Sequence, residues 1–424
     1  MTSESMSNFQ PGPGPEVSEP SPTVGSCRPG HVEKGSHIAI IGAGVGGLAL
    51  AHGLTSAGHP VTVFERDPGP DGREQGYRIS LNAMGVAALR ELLPEPRFAA
   101  LSDVDVAGVG EEFAFATAGM RPLLRLRADA GARTVRRAAL RRHLSRGIPI
   151  RWGGHVAGID EDPSGVTLRL AGGDTVRAAM VVGADGAGSS VREALRSTGA
   201  AVPEVVDMGI ISIGGHVDRT GGWDEALPLN LAGGVQYFGP AGWSLFVSFC
   251  EREDRTPTVL WGLSRRAGDG GAGEPGAAMA LRGWHPALRR LVAGTAPPDL
   301  IAPISIRSSR LPRRSAADRP TMSAHGRITL LGDAAHLMPP QRGLGGNSAL
   351  EDARVLTGAL AAGGPIVDAV AAFEREMLGR ARRAVEQSEE SAQMFHFRNP
   401  VAVAARSTVL RGAGLAARIR AGRR

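Results

Sequence analysis

Apolar and polar positions near the start of the chain follow the order strand, turn, helix, strand. The run Ile38–Ile41 is apolar, a glycine-dense turn follows, and residues 46–57 read as a helix that stops at Gly58. A second β-prone run, Val61–Glu65, comes next. This order is typical of a doubly wound α/β domain with a parallel sheet.

The middle of the chain has a different pattern. Between about residues 202 and 306, short β-prone runs separated by Gly, Pro and Asp predict an antiparallel sheet. These runs are residues 209–216, 234–238, 243–250 and 257–263. A buried strand at residues 327–331 and helices over about residues 347–394 return to the first pattern. We therefore predict an α/β fold, with a Rossmann-like βαβ domain, an inserted, mainly antiparallel β-sheet domain and C-terminal helices.

Composition and pattern together predict the domain boundaries. Residues 1–36 are rich in Pro, Ser, Gly and Glu, which predicts a disordered leader. The Rossmann-like, dinucleotide-binding domain is expected to be discontinuous, and the inserted substrate domain is expected in two pieces. The boundaries are residues 37–80, 135–200 and 325–394 for the first domain, residues 81–134 and 201–324 for the second, and residues 395–424 for a basic C-terminal tail.

The charge of the chain first suggests a nucleic-acid partner, but its distribution removes that suggestion. The 424 residues carry a formal charge of +6, and Lys34 is the one lysine among 48 basic residues. Residues 395–424 hold seven arginines and no acidic residue, which leaves a net charge of −1 for the rest. We predict no nucleic-acid partner, and a tail that is a fraying, solvated helix, with weak membrane-surface or partner binding as the alternative.

Cysteine usage and hydropathy predict a cytoplasmic protein. Cys27 and Cys250 are too few for a disulfide framework, and neither lies at a metal-ligand spacing. The N-terminus lacks the basic and then apolar pattern of an export signal, and no apolar stretch reaches the roughly 18 residues of a membrane span. We predict no transmembrane segment and no metal.

The first chemical motif is the glycine turn after the first strand. Gly42, Gly44 and Gly47 allow a tight turn and a close approach of backbone N–H groups to a pyrophosphate at the start of a helix. Glu65 ends the second strand, where a carboxylate can accept from both hydroxyls of an adenosine ribose. An acidic residue there suits FAD or NAD and disfavours a 2′-phosphate.

Two later segments decide which dinucleotide is bound. Residues 181–192, VVGADGAGSSVR, end a strand in an Asp-Gly turn, and residues 328–353, ITLLGDAAHLMPPQRGLGGNSALEDA, join a strand to a Gly-rich loop and a helix. With the glycine turn, these segments resemble in order the motifs of the class A, single-component FAD-dependent aromatic hydroxylases. The last segment is similar to the tetracycline-inactivating and polyketide-tailoring branch, and the resemblance covers about residues 37–394.

The resemblance implies FAD as the cofactor and suggests its contacts. Asp333 would bind the ribityl chain, and the backbone of residues 343–347 would face the pyrimidine edge of the flavin. Asp185 would help to hold the pyrophosphate region and the co-substrate, NADPH or NADH. Arg66 would flank the adenine, and Arg137 belongs to a helix with the family's Arg-x-x-Leu-x-x-x-Leu spacing. The predicted cofactor-binding residues are Gly42, Gly44, Gly47, Glu65, Arg66, Arg137, Asp185, Asp333, Gly345, Gly346 and Asn347.

Residues near these motifs are expected to have structural roles. Arg136, Arg141 and Arg142 are predicted to form a solvated helix face. His336 is part of the Gly-Asp motif, and we predict that it is a hydrogen-bonded structural histidine and takes no part in the chemistry.

The candidate substrate pocket lies between the flavin and the inserted sheet. Arg78 is a candidate contact for an acidic or phenolate substrate or for NAD(P)H, with a surface arginine as the alternative. Pro340 would stiffen the wall beside the flavin. Ser80 stands where the tetracycline branch carries an acidic residue, so that contact is not expected here. Tyr237 and the strand at residues 243–250 are expected to be core, and no catalytic side chain is assigned because the chemistry belongs to the flavin.

The resemblance implies a monooxygenase. NAD(P)H would reduce FAD, the reduced flavin would capture O2 as a C4a-hydroperoxide, and one oxygen atom would enter an aromatic or polyketide-like small molecule, by hydroxylation in preference to epoxidation or Baeyer–Villiger insertion. A catalytically silent FAD-binding scaffold and a flavin-dependent polyprenyl reductase stay as alternatives. A halogenase is disfavoured because the single lysine, Lys34, precedes the first strand. The chain is expected to be a monomer or a homodimer.

Overall fold

A computed structural model describes most of the chain. It covers residues 35–71, 78–106, 112–127, 130–220, 222–227, 233–252, 254–268, 281–313 and 321–421, with side chains up to residue 415 in the last range. Residues 1–34 of the predicted leader, which include Lys34, lie outside the described residues.

The strands are numbered in chain order. They are β1 Ile38–Ile41, β2 Val61–Glu65, β3 Arg78–Leu81, β4 Glu112–Thr117, β5 Pro122–Arg127, β6 Arg133–Arg136, β7 Ile150–Trp152, β8 Val156–Asp162, β9 Gly165–Leu170, β10 Thr175–Ala178, β11 Met180–Gly183, β12 Glu204–Asp218, β13 Val235–Phe238, β14 Ser244–Glu251, β15 Pro257–Arg266, β16 Leu300–Arg310 and β17 Ile328–Leu330.

The helices are numbered in the same way. They are α1 Val45–Ser56, α2 Ala83–Leu92, α3 Glu95–Ala99, α4 Arg137–Ser145, α5 Ser190–Ser197, α6 Trp223–Ala226, α7 Pro286–Ala293, α8 Asp333–His336, α9 Gly345–Ala361, α10 Ile366–Phe395 and α11 Pro400–Ala421. Short 3-10 turns lie at Ala100–Val104, Pro240–Gly242, Pro297–Asp299 and Pro340–Arg342.

A five-stranded parallel sheet brings the three sequence motifs to one edge. Its strand order is β17-β11-β1-β2-β7. Strand β1 pairs with β2 and β11, and β11 pairs with β17. The carboxyl ends of β1, β2, β11 and β17 therefore lie side by side, as in open α/β sheets that bind ligands at that edge. The predicted α/β fold is confirmed.

A seven-stranded sheet forms the inserted layer, in the order β16-β12-β15-β14-β13-β4-β5. Its neighbours are antiparallel except for β13 and β4, which run parallel with Gln236 opposite Phe115. The four β-prone runs of the middle section became β12 to β15, with β12 and β15 longer than predicted. The inserted sheet is thus mainly antiparallel, as expected.

The hydrophobic cores place one boundary differently from the prediction. Residues from 81 onward were expected in the substrate domain, but Leu89, Phe98 and Val104 are buried in the same core as β1 and α1. Helix α2 packs on α9 and α1 within this core, and the chain reaches the second sheet only at β4. A separate core, with Val235 and Trp261 among its members, lies under the seven-stranded sheet.

Helix α11 is also packed more tightly than a solvated tail. Leu410 is buried in a cluster with Leu124, Phe238 and Phe395. Buried Arg406 lies 3.9 Å from the centre of the Phe238 ring and donates to the Met394 carbonyl at 3.0 Å, and burial lowers its pKa to about 10. The expectation of a solvated helix is therefore wrong for this face, because two side chains spaced by one turn reach the sheet. Within the described residues, no helix is both long and apolar enough to cross a bilayer.

Candidate cofactor and substrate site

A cavity of about 1350 Å³ lies between the parallel sheet and the seven-stranded sheet. All thirteen residues predicted from the sequence line it, including the pocket candidates Arg78 and Pro340. Its volume exceeds the roughly 300–1,000 Å³ of a typical small-ligand pocket, so it can hold a dinucleotide and a second small molecule. The predicted cofactor-binding residues and the predicted substrate-pocket residues therefore line the same cavity.

The glycine turn leaves the start of α1 free to meet an anion. Gly42 has a φ of 110°, and a Cβ on it would lie 2.4 Å from the Ala184 carbonyl oxygen of the neighbouring strand connection. Gly44 is the N-cap of α1, and no side chain caps this helix in the part of the chain described. The first N–H groups of α1 thus lack a partner at the cavity wall, which suits a pyrophosphate.

Glu65 is held in place by backbone donors. The Ala43 N–H donates to Oε2 at 2.8 Å and the Asp67 N–H donates to Oε1 at 2.9 Å. The carboxylate is buried yet lines the cavity, and each oxygen keeps acceptor capacity. Exposed side chains of Arg66 and Arg137 border the same part of the cavity.

Arg141 belongs to this network, which corrects the prediction of a solvated face. Its guanidinium donates to the Ala43 carbonyl at 2.9 Å and to Asp67 at 3.1 Å, and lies 3.3 Å from Glu65. The side chain is 1% exposed. A buried arginine is stable only when its donors are paired, and two carboxylates and two carbonyls pair them here.

The other two arginines of that predicted face are also engaged. Arg136 is buried and donates to the Asp103 carbonyl at 2.9 Å. Arg142 is half-buried and pairs with Asp71 at 2.5 Å. The solvated face is therefore wrong for Arg136 and only partly correct for Arg142, because partners more than thirty residues away in sequence meet both side chains.

Asp185 lies in the Asp-Gly turn of the second motif. Its Oδ2 accepts from the Ser190 N–H at 2.7 Å and the Ser190 hydroxyl at 2.9 Å, which starts α5. Its Oδ1 is buried and has no hydrogen-bond partner among the described residues. An acceptor left over beside a dinucleotide-sized cavity is a position that a ligand donor or a water would satisfy.

A buried hydrogen-bond network, which was not predicted from the sequence, holds the Gly-Asp turn in place. Asp352 on α9 accepts from the Gly332 N–H at 3.1 Å, from the His336 Nε2 at 2.5 Å and from Arg380 at 2.7 Å. Gly332 has a φ of 59°. Asp352 raises the pKa of His336, and His336 with Arg380 lowers the pKa of Asp352. Asp333 then projects to the cavity wall, while His336 is fully buried outside it, as a structural histidine would be.

Asn347 ties the Gly-rich loop to β3. Its side-chain amide donates to the Ser80 and Gly343 carbonyls at 2.9 Å each, and its Oδ1 accepts from the Asn82 N–H at 2.9 Å. The side chain is thus fully used inside the protein. Only its backbone, with that of Gly345 and Gly346 at the start of α9, is open to a flavin at the cavity wall.

The seven-stranded sheet gives the cavity an apolar, aromatic wall that the sequence analysis did not assign. Phe113 and Phe246 have nearly parallel rings 6.3 Å apart. Gln236, whose side chain donates to the Ser244 hydroxyl at 2.7 Å, is one of the polar groups there. The wall is completed by Phe115, Leu126, Ser212, Leu260, Ser264, Ile306, Ser391, Met394, Phe395 and Leu410. Tyr237 faces the opposite side and is buried in the core, as expected.

Arg78, at the start of β3, is a half-buried cation beside this wall. Its guanidinium donates to the Gly233 carbonyl at 2.8 Å and the Phe249 carbonyl at 3.3 Å, and lies 5.8 Å from the centre of the Phe246 ring. Burial lowers its pKa to about 10, so it remains charged at neutral pH. The alternative of a simple surface arginine does not hold.

These features fit FAD. An uncapped helix start, a positioned carboxylate for a ribose, an unsatisfied acceptor at Asp185 and a Gly-rich helix start all border one cavity. Residues 36–388 match the family model described as an FAD binding domain. The chain belongs to this family, the class A FAD-dependent monooxygenases, and the prediction of FAD as the cofactor is confirmed.

Named relatives agree with this class. The chain is 31% identical to the dual O-methyltransferase/FAD-dependent monooxygenase of Cercospora beticola, over 86% of this chain and 47% of that protein, so it spans about half of that relative. It is also 31% identical to the 3-amino-4-hydroxybenzoate 2-monooxygenase of Streptomyces cremeus, over 86% of this chain and 89% of that one. The fold is similar to Klebsiella pneumoniae HpxO complexed with FAD and uric acid, with a TM-score of 0.70, 22% identity, and 89% and 93% of the two chains covered.

Proposed function

We propose that the protein is an FAD-dependent monooxygenase that uses NADPH or NADH and O2 to insert one oxygen atom into an apolar aromatic or polyketide-like molecule, by hydroxylation. The single observation that carries the proposal is the shared cavity, in which the dinucleotide motifs face a wall of phenylalanines. Bound FAD supplies the hydride acceptance and the oxygen chemistry. The protein binds the cofactor and the substrate, orients them and excludes water from the cavity.

In this proposal each motif has one task. Glu65 accepts from the adenosine ribose, with Arg66 beside the adenine. The start of α1 and Arg137 hold the pyrophosphate, together with the acceptor at Asp185. Asp333 accepts from the ribityl hydroxyls. The N–H groups at the start of α9, residues 345–347, stabilise negative charge on the pyrimidine edge of the flavin, supported by the dipole of a helix of 17 residues.

The wall facing the flavin defines the substrate class. Stacked Phe113 and Phe246 suit a planar ring system, and Gln236 offers one amide for orientation. A related enzyme is named for an aminohydroxybenzoate, which is a phenol. Arg78, charged and fixed by two carbonyls, would hold an anionic phenolate oxygen, and a phenolate ring is the electron-rich form that oxygen transfer requires. Arg78 is therefore proposed to position the substrate.

The proposal also covers the binding of the co-substrate, the oligomeric state of the enzyme and its cellular location. The described chain contains one Gly-rich βαβ turn at the parallel sheet, so NADPH or NADH would bind transiently at the cavity mouth. The enzyme would act as a monomer or homodimer in the cytoplasm, consistent with a chain of only two cysteines.

The test is oxygen incorporation by the purified, FAD-loaded protein. A panel of phenols, quinolones and polyketide aromatics should include compounds that stimulate NAD(P)H oxidation and gain one atom from isotopically labelled O2. Arg78→Met should raise KM for phenolic substrates more than for neutral ones, while Arg66→Met should not discriminate between them. If hydride never reduces the flavin, the silent scaffold is correct. Product formation without O2 uptake would instead favour the polyprenyl reductase.

A further inference from the structure

The outward face of α11 is unusually apolar. Val401, Val409 and Leu415 are 76%, 69% and 61% exposed, the highest values of any large apolar side chain described. At about 100° per residue, these three positions fall on one face of the helix, roughly 120° wide. The inward face is occupied by Arg406 and Leu410, so the apolar face is fixed toward the outside.

The charges around this face favour one kind of partner. Exposed Arg411 borders it, and residues 395–424 contain seven arginines and no acidic residue. A second copy of the helix would bring arginine against arginine without a carboxylate from this segment to pair them. An anionic phospholipid surface complements the arginines and accepts the apolar side chains below its headgroups.

We propose that α11 docks the protein onto anionic phospholipid bilayers, lying in the plane of the interface. Leu410, on the opposite side of the same helix, lines the cavity together with Met394 and Phe395. The bilayer would thus lie about one helix diameter, roughly 10 Å, from the cavity wall. If the proposed apolar substrate is correct, docking gives it a short path from the bilayer, but binding to lipid does not depend on that activity.

The experiment is flotation of the full-length, FAD-loaded protein with two kinds of vesicle. We expect binding to vesicles of phosphatidylcholine with phosphatidylglycerol, and none to phosphatidylcholine alone. The double variant V409E/L415E should lose binding. The control L300E/I304E changes two similarly apolar side chains, 50% and 54% exposed on β16, and should bind normally. Each arginine that lies near the bilayer is expected to strengthen vesicle binding about fivefold, so the triple variant R411Q/R418Q/R420Q should bind more weakly than the wild type. Added salt should weaken vesicle binding by the wild type.

Several outcomes overturn the proposal. Wild-type protein that floats with neither vesicle, or V409E/L415E that floats as well as the control, shows that this face does not bind lipid. A change from dimer to monomer in V409E/L415E, with vesicle binding absent in the wild type, assigns the face to a second copy. Flavin content checks folding, and the arginine variant tests the proposal even where the glutamate variant does not fold. Normal flotation combined with failed oxygen incorporation would contradict only the proposed function.

Discussion

Asp352→Asn tests the network below the Gly-Asp turn. Asp352 is 1% exposed and accepts from three donors through two oxygens: Gly332 and His336 on Oδ2, and Arg380 on Oδ1. Asparagine has almost the same shape but only one acceptor oxygen. Whichever way the amide is turned, its NH2 group faces a donor, and the buried charge opposite Arg380 is lost.

The expected cost follows from these partners. A buried donor left unsatisfied costs about 1–3 kcal/mol, and breaking a buried ion pair by removing one partner costs about 3–5 kcal/mol. The two effects overlap in this network, so we expect the free energy of unfolding to fall by about 3–5 kcal/mol. FAD affinity should fall as well, because the turn that presents Asp333 loses its support at the Gly332 N–H.

Urea denaturation of the flavin-free protein measures the stability, and the recovery of flavin fluorescence measures FAD dissociation. The matched control is Glu376→Gln, which removes an exposed carboxylate that also contacts Arg380, at 2.7 Å. An exposed pair contributes about 0–1 kcal/mol, so the control should be close to wild type. If Asp352→Asn costs no more than the control, the bracing role assigned to this network is wrong.

The pH dependence of this difference has a defined sign. Asp352 raises the pKa of His336, so the stability contributed by the charged histidine is present below its ordinary pKa of about 6.5 and is lost as pH rises through the raised value. The lowered pKa of Asp352 adds stability above its ordinary value of about 3.9, which is lost as pH falls through the lowered value. The wild type should therefore exceed the variant most between these limits, and the gap should narrow above neutral pH.

Three further predictions concern residues that line the cavity or hold its lining side chains in place. Gly42→Ala forces a Cβ to within 2.4 Å of the Ala184 carbonyl at a φ of 110°, so the purified protein should lose most of its flavin; a full flavin-to-protein absorbance ratio would refute this. Arg141→Met leaves Glu65 buried without its cation and should lower the free energy of unfolding by about 3–5 kcal/mol; unchanged urea midpoints would contradict the network. Asn347→Ala removes three hydrogen bonds and should destabilise by about 2–4 kcal/mol, with flavin reduction slowed; no change in either would show that the loop is held by other contacts.

The sequence was sufficient to predict the structural elements that depend on short-range sequence patterns. The βαβ unit, the glycine turn and the helix starts follow from short-range patterns, and all thirteen chosen residues line one cavity. The side-chain partners could not be predicted. Arg141 meets Asp67 across 74 residues, and Asp352 meets His336 through the packing of one helix on a turn. An arginine run has the same appearance in sequence whether it is solvated or buried, because only tertiary contacts supply its acceptors.

The aromatic wall of the cavity shows the same limit. Phe113 and Phe246 are far apart in the sequence and become neighbours only when β4 pairs with β13 and β13 with β14. The contribution of α11 was hidden for another reason. Its many Ala, Gly and Arg residues suggest a solvated tail, and the one-turn spacing of Arg406 and Leu410 marks the face that packs on the sheet.

The order of strands in the parallel sheet also has a consequence for biosynthesis. Strand β17 lies next to β11, but its residues are made almost 300 positions after β1. At about 5–20 residues per second, a ribosome reaches β17 roughly 15–60 seconds after β1. Strand β11 ends at Gly183, about 145 residues before β17 begins, so its edge stays unpaired for roughly 7–30 seconds, and the Gly-Asp turn proposed to contact FAD does not yet exist. The cofactor can therefore stabilise this chain only late in synthesis, after β17 has joined the parallel sheet.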